Sequence, residues 1–234
     1  MISLKARSTL TEMMDDFTCS GEVLHQTLRE LERINKLLGG DHVSISGINK
    51  LIRNVNRKEY SVVDLGCGGG DTLKLMSNWG RKNDHELELS GVDANSNIIQ
   101  YAELNTKSFS NISFLNEDIF SASFKNRRFD IAHCSLFTHH FTNVQLIELL
   151  KQLLNQVRVG IVVNDLHRHL VSYYFTKWII RSLSKSEMVR YDSVVSVARS
   201  FKRKELIDIL SQAGIHHYQL TWRWAYRWEL VIFK

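Results

Sequence analysis

From Glu22 to Leu38 the apolar residues Leu24, Leu28, Leu31, Ile34 and Leu38 recur three or four positions apart, which predicts an amphipathic helix. Gly39-Gly40 follows it, the residue type that favours a helix C-terminus. Val43, Ile45, Ile48, Leu51, Ile52 and Val55 predict a second, shorter helix, so residues 1–57 read as a helical prelude, expected to form a lid together with residues 165–204. After Lys58 the pattern changes to short β-branched runs. Strands are expected at Tyr60–Leu65, Leu87–Val92, Ile112–Leu115, Phe129–Ser135 and Val159–Asn164. Helical stretches separate them, including Asp71–Trp79 and Asn143–Val157. The latter carries one stripe of Val144, Ile147, Leu150, Leu154 and Val157, and Thr142 with Gln145 forms a capping box before it.

Strands alternating with helices of this length imply right-handed crossovers and a doubly wound, mostly parallel α/β sheet. The C-terminal part differs: a helix over Phe201–Ala213 ends at Gly214, and the runs His217–Arg223 and Trp228–Phe233 are too close to hold a crossover helix. They are expected to pair as an antiparallel hairpin. With 234 residues, one domain covering 58–234 is expected, carrying a helical insertion at about 165–204.

The strand of Val62 to Leu65 runs into Gly66-Cys67-Gly68-Gly69-Gly70-Asp71, a glycine-rich turn before a helix. In an open α/β sheet such a turn, at the carboxyl end of a strand, lets the backbone approach a nucleotide-type ligand. No Gly-Lys-Ser or Gly-Lys-Thr follows, so it is not a phosphate-binding P-loop. The dinucleotide fingerprint fails because position 71, where a small residue belongs, is Asp. Asp64 and Asp71 make the turn anionic, which suits a ligand bearing an ammonium and a sulfonium in place of phosphates. Gly91-Val92-Asp93 ends the second strand with a carboxylate able to grip both ribose hydroxyls. Asp118, after the third strand, can accept the adenine amino proton while Ile119 packs on the ring. Three carboxylates, each just past a successive strand, are more specific than the glycines.

In these positions the chain resembles the class I S-adenosylmethionine (SAM)-dependent methyltransferases, over about Tyr60 to Asp165 and the closing hairpin. The resemblance implies a Rossmann-like seven-stranded sheet in the order 3-2-1-4-5-7-6 with the last strand antiparallel. It implies SAM as cofactor and S-adenosylhomocysteine (SAH) as product. Asp64, Gly66, Cys67, Gly68 and Gly70 would surround the methionine part, Asp93 with Ala94 the ribose, and Asp118 with Ile119 the adenine. Ser135, ending the fourth strand, would pass near the methyl group. Asn164-Asp165-Leu166-His167-Arg168-His169 further resembles small-molecule methyltransferases of polyketide or quinone pathways, with Leu170 where that branch has proline. The chain contains no proline at all.

His139 and His140 follow the fourth strand and are the candidate bases for an acceptor hydroxyl. The plainer alternative is that they pack at a helix entry. His133, inside the strand, is expected to be a satisfied core histidine. Asp165, His167, Arg168, Tyr173, Tyr174 and Arg199 are the candidate acceptor contacts, aromatic groups stacking on a flat molecule and an arginine pairing its anionic group. An amphipathic helix with a solvated basic face is the plain reading of the same residues. No metal is required by this reading.

Net charge is +5, and residues 165–204 hold nine Lys and Arg against three acidic residues, enough to account for all of it. That segment raises two rivals, an RNA methyltransferase and weak contact with anionic membrane. Ser135-Leu136-Phe137-Thr138 lacks the Asn- or Asp-Pro-Pro-aromatic motif of exocyclic-amine methylation, which makes nucleic acid the weaker reading. A non-catalytic, cofactor-binding partner protein is a third rival. Cys19, Cys67 and Cys134 are odd in number and widely spaced, so neither disulfides nor a zinc site follows and a cytoplasmic location is expected. The run Met1-Ile2-Ser3-Leu4-Lys5-Ala6-Arg7 does not read as a signal peptide. Oligomeric state is open.

Overall fold

Seven strands form one sheet in the order β3-β2-β1-β4-β5-β7-β6 in the computed structural model, which describes residues 4–53, 55 and 57–234. Met1, Ile2 and Ser3 of the amino-terminal run and Asn54 and Asn56 at the end of the helical prelude lie outside them. The strands are β1 (Glu59–Leu65), β2 (Glu86–Asp93), β3 (Ile112–Asn116), β4 (Phe129–Ser135), β5 (Val157–Leu166), β6 (Tyr218–Arg223) and β7 (Arg227–Phe233). Neighbours from β3 through β5 are parallel, and β7 runs antiparallel to both β5 and β6. Order and direction are those the resemblance implied.

The helices are α1 (Gly21–Leu37), α2 (Gly40–Ile52), α3 (Asp71–Lys82), α4 (Ser96–Asn105), α5 (Ala122–Lys125), α6 (Asn143–Gln156), α7 (Leu170–Leu183), α8 (Glu187–Arg199) and α9 (Arg203–Gln212). Single 3-10 turns occupy Met13–Asp15 and Thr138–His140. The capping box of Thr142 and Gln145 starts α6. Leu170 opens α7 at the first helical position, where proline is favoured elsewhere, and the His169 side chain caps the helix instead by accepting from Val171 N–H.

Alternation along the strands sends two sets of side chains to two cores. Val63, Leu65, Ala132, Cys134, Ile161 and Val163 pack with Leu149, Leu150 and Leu153 of α6 and Leu206, Ile209 and Leu210 of α9. Val62, Ile131, Val162 and Val231, on the other face, pack with Ile48, Leu51 and Ile52 of α2 and with Leu73 and Met76 of α3. Helix α2 is therefore part of the sheet's own core. Helix α1 crosses above the carboxyl ends of the strands: Leu24 and Leu28 meet Ile98 of α4, and Ile34 meets Ile180 of α7 and Val189 of α8. Strand β5 is longer than its apolar run because it is paired on both sides, Val157 with Phe129 and Leu166 with Arg227. This places Asp165 inside the strand. Among the described residues no helix is long and apolar enough to cross a membrane, and the three cysteines are free.

Candidate active site

The turn between β1 and α3 holds Gly66, Gly68 and Gly70 at φ of +65°, +51° and +77°, a region that glycine enters without a Cβ penalty. Gly66 and Cys67 donate their N–H groups to Val92 O at 2.9 and 3.1 Å, which ties the turn to the end of β2. A Cβ on Gly66 would stand 2.2 Å from the Phe137 ring, whereas at Gly68 only Leu28 of α1 lies within 4 Å. The turn is thus a backbone surface covered by Phe137 on one side and approached by α1 on the other.

At the end of β2, Asp93 accepts from Asn95 N–H at 3.0 Å, and burial pushes its carboxyl up to about 6 against that bond and one from Gly68 N–H. Ala94 follows, its carbonyl accepting from Asn116 Nδ2 at 3.0 Å. Asp118 accepts from Phe120 N–H at 2.9 Å, and Ile119 beside it is buried. Ser135 ends β4, its hydroxyl 3.3 Å from Asn164 Nδ2. Asp64 lies under the turn, 2.7 Å from His133 Nδ1, and His133 Nε2 meets Ser44 Oγ of α2 at 2.9 Å. His133 is a satisfied core histidine. A turn whose glycines carry no side chains of their own and a buried carboxyl at a strand end fit a cofactor with ribose hydroxyls and a cationic methionine group. Anionic Asp64, Asp71 and Asp93 would repel phosphates.

The second half of the site starts where β4 ends. Leu136 takes a left-handed φ of +51°, and Phe137 then lies over Gly66 with its ring 5.0 Å from Phe141 and 6.3 Å from His140. The 3-10 turn places His139 and His140 side by side, ring centroids 4.5 Å apart. His139 is 1% exposed; its Nδ1 meets Asp165 Oδ1 at 2.6 Å, and its Nε2 stands 3.3 Å from Glu12 Oε1. Burial alone would push this imidazole down, but the carboxylates of Asp165 and Glu12 outweigh it and hold the ring's pKa at about 10. Asp165 also accepts from Thr138 Oγ1 and from the N–H groups of His139 and Leu166, and with His139 beside it stays ionised well below the usual carboxylate range despite its burial.

His140 binds Asp15 Oδ1 through Nδ1 at 2.6 Å, and its Nε2 is 3.8 Å from Glu12 Oε2. Arg199 donates to Asp15 Oδ2 at 2.6 Å and to His140 O at 2.7 Å. Arg7 donates to His139 O at 2.9 Å and to Arg199 O at 2.7 Å. A cavity of about 500 Å³ opens beside these groups, lined among others by Arg7, Thr11, Asp15, His139, His140 and Arg199. A second, of about 660 Å³, lies at the opposite ends of the strands around Arg57, His85 and Asp130.

Of the residues singled out in the sequence, the structure thus joins His139, His140, Asp165 and Arg199 in one network. Arg168 lies outside it. It is fully buried, and its guanidinium donates to Ser200 O, Glu205 and Leu4 O, which holds the start of α9 to the chain. His167 packs on Trp228 with ring centroids 4.8 Å apart, and burial pushes it down to about 4. Tyr173 is buried on α7, edge-on to Tyr174 at 5.4 Å. Glu12, Asp15 and Arg7 were not identified from the sequence. Their partners lie more than a hundred positions away, and no local pattern marks them.

A family of methyltransferase domains has a model that matches residues 56–214. The chain belongs to this methyltransferase family. A curated relative, the carboxy-S-adenosyl-L-methionine synthase of Campylobacter jejuni, is 24% identical over 202 residues, 79% of this chain and 81% of the relative. Among solved structures, the plantazolicin methyltransferase BpumL bound to SAH superposes with a TM-score of 0.66 at 17% identity, over 91% of this chain and 94% of that one. An O-methyltransferase family protein from Burkholderia thailandensis gives 0.69 at 13% identity, over 99% of this chain and 65% of that one. The enzyme is a SAM-dependent methyltransferase.

Proposed function

We propose that this methyltransferase acts on a small molecule, transferring the methyl group to an oxygen of a phenolic, polyketide-like or quinone-related acceptor. The observation that carries the reading is the cavity of about 500 Å³ whose wall includes both His139 and His140 together with Arg7 and Arg199. That volume suits a molecule of a few rings and not a polynucleotide. Arg7, whose hydrogen bonds go to two carbonyls and the Asn143 amide and to no carboxylate, keeps its charge for an anionic oxygen on it. Three cations of the basic segment, Arg168, Arg190 and Arg199, are spent on contacts inside the protein, which leaves less charge for a phosphate backbone.

SAM supplies an activated methyl group on its sulfonium. The acceptor oxygen attacks that carbon in line as the bond to sulfur breaks and the electron pair stays on sulfur, giving SAH. The protein's part is to hold the oxygen in line, exclude water and remove the hydroxyl proton. His139 and His140 stand at the cavity wall with Glu12 behind them, and that proton is lost there. His140, 23% exposed in its side chain against 1% for His139, is the one that reaches the acceptor.

Incubating the purified chain with SAM and a panel of phenols and hydroxyquinones should release SAH with only some of them. His140→Ala should lower kcat by about 10²- to 10⁴-fold while SAH affinity is kept. Turnover confined to amines or to RNA would overturn the acceptor class, and loss of less than tenfold in the variant would remove His140 from the reaction. Turnover by the isolated chain also disposes of a purely cofactor-binding role.

A further inference from the structure

Three ligand-type side chains from two distant parts of the chain converge beside the smaller cavity, which His139 and His140 line and behind which Glu12 is buried. Glu12, His139 and His140 each offer one atom, and these atoms lie within 4.8 Å of one another. Their pairing with each other is incomplete. His139 Nε2 and Glu12 Oε1 are 3.3 Å apart but not aligned as a hydrogen bond, so both are buried polar atoms without a hydrogen-bond partner. Such atoms are uncommon in folded proteins and each calls for an explanation. The nearest cation, Arg199, does not supply one: its Nη1 is engaged with Asp15 and stops 3.8 Å from Glu12 Oε1.

The far side of each ring is organised differently. His139 Nδ1 rests on Asp165 Oδ1 and His140 Nδ1 on Asp15 Oδ1, each at 2.6 Å. A carboxylate on Nδ1 holds a proton there and turns Nε2 toward the remaining partner, in both rings the carboxylate of Glu12, so that an ion arriving between them would displace the Nε2 proton of His139. Metal-bound histidines are oriented in this way, with the second nitrogen donating to a carboxylate. Separations of 3.3 and 3.8 Å from Glu12 to the two Nε2 atoms are close to the spacing of neighbouring ligands that each reach an ion at roughly 2.0–2.2 Å.

We propose that Glu12, His139 and His140 bind one divalent transition-metal ion, with coordination positions left open toward the cavity. Two imidazoles and one carboxylate suit zinc, iron(II), cobalt or manganese better than calcium or magnesium, which prefer oxygen alone. Sequence alone suggested no metal, because the carboxylate that completes the set comes from a segment 127 positions before the histidines. Asp192 keeps that segment in place by accepting from Met13 N–H at 2.7 Å and Met14 N–H at 3.1 Å. The ion therefore also clamps the amino-terminal segment to the end of β4. Its catalytic role, unlike its binding, rests on the methyl transfer to oxygen proposed above: with His140 turned to the ion, the ion would take over the task given there to the histidine by lowering the pKa of an acceptor hydroxyl, which then gives its proton to solvent.

The test uses the full chain without a histidine tag, stripped with a chelator and titrated with Zn²⁺ by calorimetry and with Co²⁺ by visible absorption. One ion per chain at micromolar affinity or tighter is expected, with cobalt bands characteristic of nitrogen and oxygen ligands. Glu12→Gln and His140→Gln should each weaken binding by at least tenfold, and Asp15→Asn by about ten- to a hundredfold, with SAH binding retained as the check on folding. Absence of binding in chain that still binds SAH overturns the proposal, as does binding that Glu12→Gln and His140→Gln leave unchanged. Where a variant fails to bind SAH, the cobalt spectrum of the unaltered chain decides alone: no bands at saturating Co²⁺ overturns the site. Ion binding without turnover of any phenol sinks the acceptor reading and leaves this one standing, and turnover by a chain that binds no ion does the reverse.

Discussion

As the proposed ribose contact, Asp93 would couple cofactor binding to pH. Burial raises its carboxyl to about 6, so the free protein holds a proton there at pH 5 and has lost it at pH 7.5. A neutral carboxyl cannot accept both ribose hydroxyls. SAH affinity should therefore be level above pH 7 and fall by about tenfold per pH unit once the pH is below 6. Calorimetry at pH 5, 6 and 7.5 checks this, and a level profile would remove Asp93 from the ribose contact. Asp93→Ala should weaken SAH by roughly 1.5–3 kcal/mol at neutral pH, the range for hydrogen bonds to a charged group. The strand-end places of Asp93 and Asp118 were legible in the sequence because each lies at the end of its own strand or directly after it. Glu12 and Asp15 were not, since their meaning comes from His139 and His140, which only the folded chain brings beside them. The same holds for Arg168: its charge suggested a ligand, and only the structure shows Ser200 O and Glu205 already using it.

At the scale of elements, the amino-terminal helices divide into two kinds. Helix α2 shares the core under β1, β4, β5 and β7, so Ile48, fully buried against Val62, Val162 and Val231, is a core position. Ile48→Ala should cost roughly 2–5 kcal/mol in denaturant unfolding. A loss below 1 kcal/mol would show that α2 is only laid on the sheet. Helix α1 instead bridges α4 and α8 above the glycine turn, through Leu28 on Gly68 and a 3.0 Å contact between Thr27 Oγ1 and Ser186 Oγ. We propose that α1 with α7 and α8 acts as a lid, and hydrogen exchange in 21–37 and 170–199 should slow on SAH binding while β1 and β4 are unchanged. Equal exchange with and without SAH would count against it. The periodic stripes predicted α1 and α6 nearly to their ends because that pattern is local, while α2 starts and stops three residues before its stripe. Strand β5 outran its apolar run, since its last residues owe their conformation to β7 across the sheet. Which helix belongs to the core and which spans the cleft depends on packing that periodicity does not encode.

At the scale of the whole molecule, the packing argues for one cooperative unit. Both cores run through the same strands, and β7 closes the sheet against β5 along seven residue pairs, so the hairpin cannot leave without exposing both faces of β5. The segments above the strands are held to that body by buried polar contacts: Arg227 of β7 reaches Asn35 of α1 at 2.6 Å, and Asp192 of α8 grips the turn at Met13. Thermal unfolding followed by far-ultraviolet and by tryptophan signals should give a single, coincident transition. A ligand that binds only the native state moves that transition by mass action. SAH at a hundred times its dissociation constant should stabilise the chain by about 2.7 kcal/mol and raise Tm by about 5 to 10 °C, whereas NADH should leave Tm where it is. Both probes must move together, since binding to the turn is felt by every element packed on the sheet. An early transition in one signal that SAH does not move would mean that the helices above the cleft unfold by themselves, and a shift with NADH alone would overturn the cofactor side of the site.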